Sequence, residues 1–105
     1  MDSRRKGADG ERELAAVLQE YGYSTRRTAE PYLTGRTAPD VSGLPGVHIE
    51  VKRVEHLQLE KAVAQAERDA RPQEIPAVFH RKNRSKWLVT VPLADFMKLY
   101  RGARY

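Results

Sequence analysis

Cysteine is absent from the 105 residues. That excludes disulfide scaffolds, iron–sulfur centres, thiolate zinc sites and cysteine nucleophiles, and makes a reducing, cytoplasmic setting the expectation. Histidine is scarce: His48, His56 and His80 have no regular spacing, which argues against a histidine metal centre. No apolar run approaches the roughly 18 residues of a membrane span. The charged stretch from Met1 to Gly10 has no apolar segment behind it, so neither a membrane segment nor a signal peptide is expected. Internal repeats and low-complexity segments are also missing, and Gly and Pro concentrate between Pro31 and Gly46 without marking a linker.

What is there suits one domain spanning residues 1–105. Forty per cent of the chain is hydrophobic and 31% charged, and a globular chain of this length buries about two-thirds of the surface its unfolded form exposes. Nineteen Lys and Arg against fourteen Asp and Glu leave a net charge of +5. The excess is uneven, with eight basic and two acidic residues from Arg71 onward. A polyanionic partner is the expectation, and a merely solubilising surface is the plain alternative.

Periodicity supplies the elements. Leu14, Val17, Leu18 and Tyr21 recur at helical spacing ahead of Gly22, which predicts an amphipathic helix from about Gly7 to Tyr21. A short strand at Ser24–Thr28, a loop holding Pro31, Gly35 and Pro39, and a second short strand at Asp40–Ser42 follow, closed by a Gly43/Pro45/Gly46 turn. Val47 to Val54 alternates strictly, with Val47, Ile49 and Val51 on one face and His48, Glu50 and Lys52 on the other. The second face is expected to meet chemistry or water. Leu57 to Ala70 reads as a helix with an Ala-rich stripe, Ile75–His80 and Trp87–Val91 as strands joined by a basic turn, and a last helix from Pro92 should pack Leu93, Phe96, Met97 and Tyr100 inward. Trp87 and Phe96 are expected in the core. The order αβββαββα implies an α/β fold, a central mixed sheet flanked by helices.

The chemistry concentrates in Pro39-Asp40, nine residues, then Glu50-Val51-Lys52. The turn at Gly43–Gly46 would lay the Asp40 strand beside the Glu50 strand, and Glu50 and Lys52 share a face. Two ionised carboxylates about 4 Å apart repel by about 4 kcal/mol at an effective dielectric of 20, a cost that a hard divalent cation between them reverses. Oxygen ligands favour Mg²⁺ or Mn²⁺, which would make a water more acidic and polarise a phosphoryl oxygen, as phosphodiester hydrolysis needs. Lys52 would position the attacking water or stabilise developing charge, and the Val51 carbonyl could complete the metal shell. A third carboxylate from the first helix is either Glu11 or Glu13. They lie about 70° and 90° from the apolar stripe on opposite sides, so periodicity does not choose between them.

These residues resemble the PD-(D/E)XK signature of restriction-endonuclease-like nucleases. Arg5-Lys6-Gly7 with Glu11-Arg12-Glu13-Leu14, then Gly22-Tyr23 and Arg27-Thr28-Ala29, are similar to the opening of archaeal-type Holliday junction resolvases, while the stretch from Gln65 to Ala70 and the turn from His80 to Arg84 look like phage relatives. The resemblance implies a Mg²⁺-dependent endonuclease for branched or four-way DNA, with Mn²⁺ substituting, acting as a homodimer. By that likeness Glu11, Asp40 and Glu50 are acidic site residues, Lys52 is catalytic, and Arg12 and Thr28 touch DNA. The segment between Thr28 and Asp40 is longer than in the archaeal enzymes, so the DNA-facing loop differs.

Each feature has a plainer reading. Glu-x-Lys is common on solvated strands, and Arg12, nearly opposite the apolar stripe, can be an ordinary surface arginine. Lys6, Arg27, Arg81, Lys82 and Arg84 are candidate phosphate contacts, although a basic turn usually marks a solvated hairpin tip. His48 is expected to neighbour the site at most, and Gln65 to reach it or merely sit at a helix edge. A nicking or flap nuclease of the same fold, or a DNA-binding module that does not cut, are the alternatives to a junction nuclease.

Overall fold

The computed structural model describes residues 3–29, 32–33 and 36–103. In chain order the elements are α1 (Ser3–Glu20), β1 (Arg26–Arg27), β2 (Tyr32–Leu33), β3 (Arg36–Thr37), β4 (Val41–Ser42), β5 (Val47–Arg53), α2 (Leu59–Asp69), β6 (Ile75–Arg81), β7 (Leu88–Thr90) and α3 (Leu93–Ala103). None of the described helices is long and apolar enough to cross a membrane.

A five-stranded sheet runs in the order β1-β4-β5-β6-β7. β5 and β6 are parallel, Val47 opposite Ile75 through Arg53 opposite Arg81, while the other pairs are antiparallel. The parallel pair needs a crossover, and α2 supplies it. Both faces of the central strands are covered. On one face Leu14 and Ala15 of α1 meet Val41, Ile49, Val51, Ala77 and Phe79; on the other Ala62 and Ala66 of α2 meet Val78. Small residues let α2 lie close to the sheet. Each fully buried Leu, Ile or Val contributes about 1.5–3 kcal/mol relative to exposure, so these two clusters set where α1 and α2 sit.

The strands expected in the sheet are present with ends shifted by no more than two residues, β6 running one residue longer and the others shorter, and four features depart from expectation. The segment before Asp40 carries a separate two-stranded ladder, β2 with β3, in place of a plain loop. Pro31 and Gly35 of that segment lie outside the described residues. Tyr21, expected in the helical stripe, is 75% exposed because α1 ends at Glu20 and the chain leaves through Gly22 in the left-handed region. The face of β5 carrying His48 and Glu50 is buried under α2, not wet. Most importantly, α3 has no buried residue: Leu93 is 76% exposed and Phe96 50%, and the Phe96 ring stacks only on Tyr100 of its own helix. The helical spacing of its apolar residues is real, but no described element of the same chain covers them. Trp87 does pack against the core, partly buried.

Gly43 shapes the turn that brings β4 beside β5. Its φ is +109°, and a Cβ there would press on the Ser24 carbonyl oxygen and lie 2.8 Å from the Thr25 Cα. Thr25 cannot retreat, since its hydroxyl donates to the Ala15 carbonyl of α1 at 2.7 Å in a buried position. Gly43→Ala is therefore expected to destabilise the protein by about 1–3 kcal/mol from backbone strain, measurable as a lower urea midpoint with an unchanged m-value.

Candidate active site

Asp40 stands just ahead of β4, and its backbone is tied on both sides. Its N–H donates to the Ile49 carbonyl of β5 at 2.8 Å, and its carbonyl accepts from the Thr28 N–H at 3.0 Å. Its side chain is fixed as well: the Val51 N–H donates to Oδ2 at 2.8 Å. These bonds leave the carboxyl group facing a cleft of about 340 Å³ lined by Gly7, Glu11, Val51, Lys52, Arg53, Val54 and Gln65. α1 reaches this cleft because Gly10 crosses the end of β5 closely; a Cβ there would meet the Arg53 Cβ at 2.5 Å.

Glu50 lies behind Asp40. It is 1% exposed, and its Oε1 shares a 2.9 Å hydrogen bond with His48 Nε2. Burial, then the neighbouring Glu50 charge, and more weakly Glu11, push the Asp40 carboxyl up from an ordinary 3.8 to about 7, against the opposing pull of the Val51 N–H. Glu11 is half-buried on α1 and is held by Arg27, whose Nε donates to Oε1 at 2.7 Å. It does not join Asp40 and Glu50 in a set whose oxygens all lie within 4.8 Å of one another. The set that meets this spacing among the described residues is His48, Glu50 and Asp69, and none of these three lines the cleft. Lys52 enters from β5, and its Nζ donates to Gln65 Oε1 of α2 at 3.3 Å.

Of the two helix carboxylates, Glu11 lines the cleft and Glu13 does not. Glu13 lies on the other side of α1, where it receives Arg53 at 3.3 Å and Arg81 at 2.6 Å. Those partners are 40 and 68 residues away in sequence, so no local pattern announces them. Arg81 also donates to the Ser85 carbonyl at 2.5 Å, which ties it into the fold. Lys82 and Arg84 are exposed on the turn between β6 and β7, which is pinned to the end of β5 by Asn83 N–H donating to Glu55 at 2.6 Å and by Arg53 donating to Asn83 Oδ1 at 3.1 Å. Lys82, Arg84 and Lys86 line a second groove of about 520 Å³ that shares Val54 with the cleft.

Other expected positions stand as follows. Arg12 is exposed, pairs with Asp9 at 3.2 Å and is not a cleft residue. Arg27 sits at the cleft rim through Glu11. Thr28 hydrogen-bonds the Ser42 hydroxyl at 2.6 Å, one strand from Asp40. Lys6 belongs to α1, and its side chain is outside the described residues. Gln65 reaches the site through Lys52, and His48 through Glu50.

A buried carboxylate pair of this kind fits a hard divalent cation. The pair is oxygen-only, carries repulsion that a cation removes, and is held in place by the Val51 N–H at Asp40 and by His48 at Glu50. Without the cation, Asp40 binds a proton in the folded state at pH values where the unfolded chain has released it. Stability in EDTA is therefore fully present below about pH 4 and is lost as pH rises to about 7, by at most about 4 kcal/mol. Asp40→Asn is expected to raise the Tm of the metal-free protein at pH 8 and to leave it nearly unchanged at pH 4, as thermal melts followed by circular dichroism will show.

The sequence matches the family model described as phage putative PDDEXK endonuclease over residues 2–104. No curated protein matches it. Among solved structures the fold is similar to Hjc, a Holliday junction resolvase of the archaeal hyperthermophile Archaeoglobus fulgidus, with a TM-score of 0.60 and 24% identity over 81% of this chain and 76% of that one. That likeness, with the mixed sheet and its covering helices, makes this a restriction-endonuclease-like fold. Taken with the family match across nearly its whole length, it means that the chain belongs to the PD-(D/E)XK nucleases, in the phage PDDEXK endonuclease family.

Proposed function

We propose that this nuclease hydrolyses phosphodiester bonds in branched DNA, as a Mg²⁺-dependent, phage- or prophage-type junction endonuclease that works as a homodimer in the cytoplasm, with residues 1–105 as one domain. Mn²⁺ substitutes for Mg²⁺. The observation that carries the reading is Asp40, pushed up to about 7 beside a buried Glu50 and facing the same cleft as Lys52.

Asp40 and Glu50, with the Val51 carbonyl, would hold the cation, which supplies polarisation of the phosphoryl oxygen and a more acidic water. Lys52, steadied by Gln65, places a positive charge where negative charge develops on the phosphorus oxygens or orients the attacking water. Glu11 supports that water from α1, or a second ion. Arg27 beside Glu11 meets a phosphate, and Arg12, Thr28 and Lys6 are further phosphate contacts in this reading. Among the described residues no Ser, Thr or Tyr hydroxyl lines the cleft, so direct attack by water is the economical route. Beyond Val54, Lys82, Arg84 and Lys86 continue the path with phosphate contacts, Arg81 serving mainly the fold. Such contacts bind duplex arms without reading bases.

The junction preference rests on the Holliday junction resolvase whose fold this chain shares. The dimer has support of its own: Leu93, Phe96, Leu99 and Tyr100, at helical spacing on α3, form an exposed apolar stripe. A monomer rarely leaves such a face to water, and a two-fold pair of these surfaces would cover it.

Cleavage of a labelled four-way junction and of a linear duplex of equal sequence, with Mg²⁺ or EDTA, tests this reading. The junction should be cut preferentially and EDTA should abolish cutting. Asp40→Asn should be inactive, and Lys52→Ala should lose about 100-fold or more in rate. Equal cutting of the duplex would favour a nicking or flap enzyme, and binding without cutting a non-cleaving module. In sedimentation velocity the unaltered chain should run as a dimer and Phe96→Glu as a monomer.

A further inference from the structure

His48 is 1% exposed and lines none of the cleft, yet it is bonded to a residue that the nuclease reading places on the cation. His48 and Glu50 lie two apart on β5 and so share the face beneath α2. The 2.9 Å contact runs from His48 Nε2 to Glu50 Oε1. An ionised carboxylate can only accept, so the imidazole donates through Nε2–H. Asp69 of α2 stands nearby, and Glu74 Oε1 lies 3.9 Å from Nδ1, too far for a hydrogen bond.

A buried carboxylate needs donors, and a glutamate has three side-chain torsions through which to stray. The His48 bond answers both needs. It satisfies one oxygen and commits it to a fixed direction, leaving the other for Asp40 and the cation. We propose that His48 is a positioning residue for the metal site: its Nε2–H clamps Glu50 Oε1 so that the carboxylate is already oriented before any ion arrives. The inference rests on the nuclease reading. Direct ligation by His48 in a set with Glu50 and Asp69 is the competing arrangement, since their ligand-type atoms lie within 4.8 Å of one another. It is disfavoured because Nε2 donates its proton to Glu50, and the ring's remaining lone pair, on Nδ1, lies on the Glu74 side, 3.9 Å from that residue's Oε1.

Mn²⁺ titration of the full chain by calorimetry, without DNA, tests the clamp. His48→Leu removes the donor at similar volume, and His48→Gln places an amide donor near the same point. His48→Leu should weaken Mn²⁺ binding about 10–100-fold with the same number of ions per chain. His48→Gln should recover most of that loss, and the Mg²⁺ concentration for half-maximal cleavage should rise in step. Mn²⁺ affinity unchanged in His48→Leu overturns the proposal, and so does the loss of a whole equivalent of bound ion, which would make His48 a ligand. Should His48→Leu fail to fold, imidazole ¹H–¹⁵N spectra of the unaltered chain decide: a His48 Nε2–H signal that moves in Glu50→Gln supports the clamp, and an Nδ1–H tautomer overturns it. An Asp40→Asn control separates the two layers. Binding that needs Asp40 but ignores His48 sinks only the clamp, whereas an unaltered chain that binds no Mn²⁺ sinks the nuclease reading and the clamp together.

Discussion

Two acidic side chains, Asp40 and Glu50, are pressed together at the edge of a hydrophobic core, and much of the remaining architecture serves to keep them there. Left to themselves they would separate into water. Asp40 cannot, because its N–H and carbonyl are locked to Ile49 and Thr28 and its Oδ2 to the Val51 N–H. Glu50 cannot, because it is sealed beneath α2 and bonded to His48. The electrostatic cost is visible in Asp40, which holds its proton to about pH 7. Structural stability is thereby given up for a site ready to take positive charge, the usual relation between strain in a fold and the chemistry it performs.

β5 carries this compromise by being two-faced. One side contributes Ile49 and Val51 to the cluster with Leu14 and Phe79, which anchors the strand. The other carries His48, Glu50 and Lys52, each with a specific side-chain partner: Glu50 for His48, His48 for Glu50, and Gln65 for Lys52. Central parallel strands are ordinarily apolar on both faces because helices cover both. Here a polar face survives under α2 since its groups bond one another, and the small Ala62 and Ala66 allow the helix to approach without filling that space.

The positive charges divide into those that hold the molecule together and those left for a polyanion. Arg53 and Arg81 converge on Glu13 and bind the first helix to the ends of the two central strands. The same contacts fix the β6–β7 turn, so that Lys82, Arg84 and Lys86 stand at a defined distance from the cleft instead of on a loose tip. Sequence composition treats all these residues alike, although a paired, half-buried arginine and an exposed lysine have different work to do.

The chain's own pattern was enough for the mixed α/β sheet, the alternation of β5, the Asp40…Glu50-x-Lys52 set and the signature that marks the nuclease family, because periodicity and short spacings are local properties. It also showed that α3 has an apolar stripe, but local spacing carries no information on what covers a stripe. Three matters waited for the folded chain: which of Glu11 and Glu13 meets the cleft, which arginines are already paired, and that His48 lies against Glu50 in the dark of the core. Each depends on groups brought together across tens of residues, or on a helix lowered over a strand. Those are consequences of packing, for which the order of residues along a strand supplies the parts without their neighbours.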